Sequence, residues 1–159
     1  MVAATTARTG EMKMLNTNTR NELRKILRAP YGGKGATENY LNQIMSEIGY
    51  RLPDDYLDFM QETNGYNGEV GAKGYVCIWS AEEIVPTNRA NNCHEFIPGL
   101  VLFASNEGSE YYAFDMRVSP SKVVMIPMIP LELKEAKEVG SSFIEFLRRL
   151  ANLEKGYFD

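Results

Sequence analysis

Cys93 and His94 adjoin, and His94 is the only histidine in the chain. A thiol beside an imidazole is the raw material of nucleophilic catalysis, since the imidazole can take the thiol proton. The two groups must meet in space, however, and consecutive residues rarely aim their side chains at one another. His94 is expected in a solvent-facing polar loop, with no catalytic residue assigned. Cys77 and Cys93 match no zinc spacing and make no disulfide framework, so two reduced thiols are expected, with no metal and no cofactor.

Acidic groups are the other resource. A glycosidase pair would set two carboxyls roughly 5 to 10 Å apart across a cleft. Asp54, Asp55, Glu82 and Glu83 are better explained as helix-start residues, where the helix dipole favours negative charge. Glu107 and Glu110 flank a turn. Asp115 follows Tyr111-Tyr112-Ala113-Phe114, and its carboxylate suits backbone amides at a strand end, a structural role. The Gly33-Lys34-Gly35 run lacks the Ser or Thr of a phosphate loop and follows no apolar strand. It is a connector.

These groups must be held by elements legible in the pattern. A helix is expected from Thr19, with Thr19 and Glu22 at capping-box spacing, ending at Ala29-Pro30. A second helix spans about Glu38 to Ile48, capped by Thr37 and stopped by Gly49. The third begins at Leu52-Pro53, where proline fits a first turn, and Asn64-Gly65 stops it. Its Leu52, Tyr56, Phe59 and Met60 share one face.

Gly65, Gly68, Gly71 and Gly74 suggest turns or a bent hairpin. Tyr75 to Trp79, Leu100 to Ala104, Tyr111 to Phe114 and Val123 to Ile126 read as strands. Ser80 and Glu83 open a short helix that Pro86 ends, and residues 88–95 form a polar loop. Leu131 to Val139 reads as a helix or helical turn. Ser142 and Glu145 open a last helix carrying Phe143, Phe146, Leu147 and Leu150.

Helices at both ends and strands between them predict one α+β domain over residues 19–159, with a flexible tail over 1–18. The sheet should be mainly antiparallel, of about four to six strands, flanked by N-terminal and C-terminal helices. Only one of Tyr111 and Tyr112 can face outward. That tyrosine, with Trp79, Glu107 and Glu110, offers an aromatic and acidic anchor for a protein partner. A formal net charge of −4 argues against nucleic acid as ligand. No apolar run spans a bilayer, and the Ala/Thr-rich start lacks a secretory apolar segment, so a cytoplasmic location without membrane attachment is expected.

The succession of short motifs from Leu41 to Leu150 resembles the SUKH superfamily, in particular the branch named for the yeast cell-wall assembly regulator. Leu52-Pro53-x-x-Tyr56-x-x-Phe59 with Asn64-Gly65 carries it first. Trp79-Ser80-x-Glu82-Glu83, Phe103-Ala104-Ser105-Asn106, Tyr112-Ala113-Phe114-Asp115 and Phe143-x-x-Phe146 follow in order. Most of these residues would be structural. The Glu107-Gly108-Ser109 segment departs from relatives that are richer in glycine there.

The resemblance implies a non-enzymatic protein-binding module. Many relatives look like immunity proteins that neutralise a nuclease- or deaminase-type toxin. Others look like regulatory or signalling scaffolds, and self-association stays open. A small hydrolase using unusual carboxylates is the remaining reading.

Overall fold

The computed structural model describes residues 15–159. The expected tail therefore lies, as far as Met14, outside the described residues. Six strands form one sheet in the order in which they occur in the chain, and every neighbouring pair is antiparallel. They are β1 (Tyr66–Val70), β2 (Gly74–Ile78), β3 (Leu100–Ser105), β4 (Glu110–Asp115), β5 (Lys122–Pro127) and β6 (Lys137–Gly140). The helices are α1 (Thr17–Ile26), α2 (Glu38–Ile48), α3 (Asp54–Glu62), α4 (Ala81–Ala90), α5 (Cys93–Phe96) and α6 (Phe143–Ala151). This is the α+β class expected from the segregation of elements.

The main core lies between one sheet face and α1, α2, α3 and α6. Its centre is aromatic. Tyr56 meets Phe114, Phe143 and Phe103 edge-on at centroid distances of 4.9, 5.4 and 5.6 Å. Phe103 and Phe114 stack at 4.1 Å, a closeness made possible by a bulge in β3. There Phe103 is the additional residue between the Leu102 and Ala104 pairings, so Phe103 and Ala104 both face the helices. Leu52 is buried, and its amide donates to the Met45 sulfur.

α3 reaches into two other helices. At its start, the Asp55 carboxylate accepts the Ile144 amide in the first turn of α6 at 3.0 Å. Just past its end, the Asn64 side-chain oxygen accepts the Ala81 amide at the start of α4 at 2.7 Å, and its nitrogen donates to Glu82. Both contacts satisfy first-turn amides that have no partner within their own helix. Gly65 has φ +97°, and a Cβ there would lie 2.7 Å from the Ile78 carbonyl oxygen. Only glycine accepts both conditions cheaply.

Several expectations are corrected. α1 begins at Thr17 with Asn16 as its cap, and Glu22 ion-pairs with Arg148 of α6 instead of closing a capping box. Pro86 sits inside α4, which runs on to Ala90. Its ring removes one hydrogen bond to the Glu82 carbonyl near the helix start, where exposed Glu82 leaves that group open to water. Residues 88–95 are thus the end of α4 and most of α5, not a loop. Leu131 to Val139 holds only a 3-10 turn, Leu133–Glu135, before β6. Edge pairing with β5 overrides the helical propensity of its Glu, Lys and Ala.

The glycine-lysine connector has a packing role. A Cβ on Gly35 would strike the Gln61 carbonyl, and the Ala36 amide donates to the Met60 carbonyl at 2.8 Å. The chain presses backbone to backbone against the end of α3, which no side chain permits.

Candidate partner-binding face

The sheet face turned away from the main core carries the candidate site. Cα register sets Cys77 opposite Ser105, and Ser105 opposite Tyr111. Paired residues in an antiparallel sheet project to the same side, so these three form a row across β2, β3 and β4. Trp79, two residues after Cys77, returns to that side. Its ring meets Tyr111 edge-on, with centroids 5.8 Å apart and planes at 81°. The Tyr111 hydroxyl donates to the Asn91 side chain at the end of α4, at 3.4 Å. Tyr112 alternates inward and is 2% exposed, with its ring 4.7 Å from Phe146.

Two carboxylates border this row. Glu83 completes a capping box with Ser80, accepting the Ser80 amide at 2.9 Å. Glu107 has φ +60°, the left-handed region that most side chains avoid. Its amide donates to the Ser105 hydroxyl at 3.2 Å, and that hydroxyl lies 3.5 Å from its carboxylate. The carboxylate is folded back over the strand end. Burial first, then hydrogen bonding to Glu107 and the charges of Glu107 and Glu83, push the Cys77 thiol up to about 12.

Of the four expected partner contacts, Trp79, Tyr111 and Glu107 share this face. Glu110 does not. It alternates to the helix-packed side with Tyr112 and Met125, where it lines a separate hollow beneath Gly156 and Phe158.

The family model for the SMI1 / KNR4 family (SUKH-1) matches residues 35–149, well over half of the chain. The chain belongs to this family. No curated protein sequence matches it significantly. As an SMI1 / KNR4 family chain, it keeps the motif residues Leu52, Tyr56, Phe59, Phe143 and Phe146 buried in the core. Pro53 precedes α3 as its cap residue, and Asn64 and Gly65 join α3 to α4. Asp115 is buried, accepts the Arg117 amide at 3.0 Å and holds the Arg117 guanidinium through two 2.9 Å contacts. That guanidinium keeps the Asp115 carboxyl below its ordinary range.

The Cys93–His94 pair does not form a dyad. Cys93 is 4% exposed in a smaller core beneath α5, with Ile97, Leu100, Leu102, Ala113, Val124 and Ile126, while His94 is exposed. Burial pushes the Cys93 thiol up to about 11, so it stays protonated at neutral pH. Both residues border a cleft of about 270 Å³ between α2, α4, α5 and the start of β3. Among the described residues, no group of three or more His, Cys, Asp or Glu side chains is placed to hold a metal ion. None of the helices described is long and apolar enough to cross a membrane.

Cys77, Ser105, Glu83 and Asn91 complete the face and were not singled out as contacts from sequence. Strand alternation around Trp79 marks Cys77. Asn91 required knowing that α4 continues past Pro86.

Proposed function

We propose that this protein is a cytoplasmic, non-enzymatic immunity-type module that binds a nuclease- or deaminase-type toxin domain and neutralises it by covering its active-site cleft. The observation that carries this reading is the row on the outer sheet face, where Trp79, Tyr111 and Glu107 stand together on a rigid scaffold. A rigid aromatic pair beside acidic groups suits a tight protein interface, because it buries large area at little entropic cost. Opposite charge on a basic cleft would speed encounter. Membership of the SMI1 / KNR4 family supports protein binding in general.

The test is co-expression with a toxin domain encoded beside the gene, scoring rescue of growth and recovery of a one-to-one complex. Glu107→Lys should slow association about threefold to tenfold at low salt, an effect that salt removes. Glu110→Lys makes the same change in net charge on the opposite side of the sheet and should leave the rate within about twofold. Equal effects of the two variants would remove the outer face from the mechanism.

A second reading is a regulatory scaffold with no toxin partner, which membership of the SMI1 / KNR4 family supports equally. Rescue of growth by the wild-type protein decides between the two.

A further inference from the structure

We infer that the corner formed by Trp79, Tyr111, Glu83 and Glu107 receives a guanidinium side chain from a protein partner. This rests on the partner-binding reading above and names the chemistry at its centre. The two rings stand nearly perpendicular, at 81°, so they make a two-walled corner and not a closed stack. Aromatic faces attract cations, and a planar guanidinium can stack on one ring while its donors reach outward. The donors would find carboxylates arriving from two different elements. Glu83 is fixed beside Trp79 by the Ser80 capping box, and Glu107 is folded back by Ser105.

The Cys77 thiol, in the row with Ser105 and Tyr111, feels the charge of both Glu107 and Glu83. Several other acids are paired with arginine: Glu62 with Arg20, Asp115 with Arg117, Glu22 with Arg148 and Glu145 with Arg149. Among the described residues, no lysine or arginine ion-pairs with Glu83 or Glu107. The face therefore places carboxylates that no cation pairs next to two half-buried aromatic rings. Arginine fits this combination better than lysine, because its flat fork can stack and bridge two carboxylates at once.

Trp79 is the only tryptophan in the chain, so its indole reports the corner directly. The whole chain is titrated with acetyl-Gly-Arg-Gly-amide and with the neutral citrulline counterpart, following the indole N–H resonance and emission. The arginine peptide should shift Trp79 saturably. Its affinity should fall about threefold to tenfold in the Glu83→Gln/Glu107→Gln variant, in which glutamine can still complete the α4 capping box. An equal response to citrulline, or an unchanged response in the double variant, overturns the inference. So does a dimer in sedimentation equilibrium that Trp79→Ala abolishes, because a second copy would then own the face.

Growth rescue is scored separately. A neutralised toxin that leaves the Trp79 indole unmoved sinks the corner and keeps the immunity reading. Arginine-specific binding without any rescue keeps the corner and sinks the immunity reading.

Discussion

Asp55 of α3 accepts the backbone amide of Ile144 of α6 at 3.0 Å, across 89 positions of sequence. The same carboxylate accepts the Tyr56 amide at 2.9 Å. One side chain therefore ties the start of the motif helix to the start of the last helix. Asp55→Ala should lower stability by about 1 to 2 kcal/mol in urea unfolding, the usual cost of losing a helix-capping acceptor. Asp55→Asn keeps an acceptor and should lose less.

Asp55 and Asp115 should give opposite pH signatures. Burial raises the Asp55 carboxyl above its ordinary value, against the opposing hydrogen bonds from the Ile144 and Tyr56 amides. The unfolded chain then releases this proton first, so the Asp55 contribution falls as pH rises from the ordinary carboxyl range to the raised folded value. Asp115 is held low, first by hydrogen bonding from the Arg117 side chain. Its contribution is present above the unfolded value and is lost as pH falls through the depressed one. Stability measured from pH 3 to 7 should show Asp55→Asn removing a falling slope and Asp115→Asn removing a rising one.

Asn88 of α4 donates to the Leu102 carbonyl and accepts the Leu102 amide, both at 2.9 Å. It pairs with β3 as a neighbouring strand would, where the β2 register has already ended at Ile78. Asn88→Ala strands two backbone groups at a buried residue and should cost about 1 to 3 kcal/mol. Asn88→Asp loses the donor and should be destabilising as well. Thermal melts of both variants check this.

Gly35→Ala should destabilise by about 3 kcal/mol or more, or prevent folding, given the backbone it would strike. Lys34→Ala should stay within about 0.5 kcal/mol of wild type in the same denaturation assay. A phosphate-binding loop would depend on the lysine instead.

Cys77 and Cys93 should react slowly with iodoacetamide at neutral pH, because thiols raised to about 12 and about 11 hold little thiolate. Intact-mass kinetics before and after denaturation would reveal the difference. Rapid native labelling of Cys93 would revive the Cys–His pairing.

The elements with local signals were readable from the chain. Thr37, Gly49 and the apolar stripe between them define α2 because cap and periodicity agree. The strands after Gly99 stand out because their β-branched and aromatic runs are cut by turn residues. Pro86 misled because its cost depends on what it removes: at the sixth of ten positions it forfeits one bond, to the carbonyl of exposed Glu82, and the helix still runs on to Ala90. β6 misled because its Lys, Glu and Ala favour helix until β5 supplies pairing. The face was half legible for a similar reason. Alternation separates Tyr111 from Tyr112, but it equally sends Glu110 away from Glu107, and only the register shows which strands set Cys77 and Ser105 beside Tyr111.

The borders of the sheet limit how this molecule can be approached. Along β1, Leu27 forms a bridge with Val70, the Arg28 amide donates to Glu69, and the Gly71 amide donates to Ile26. At the far side β6 is four residues long, with exposed Lys137 and Glu138. One margin is already occupied by the molecule's own chain, and the other is too short and too charged to template an incoming strand. β-Augmentation is thereby discouraged at both margins, which guards against runaway polymerisation and leaves lateral docking by side chains as the open route.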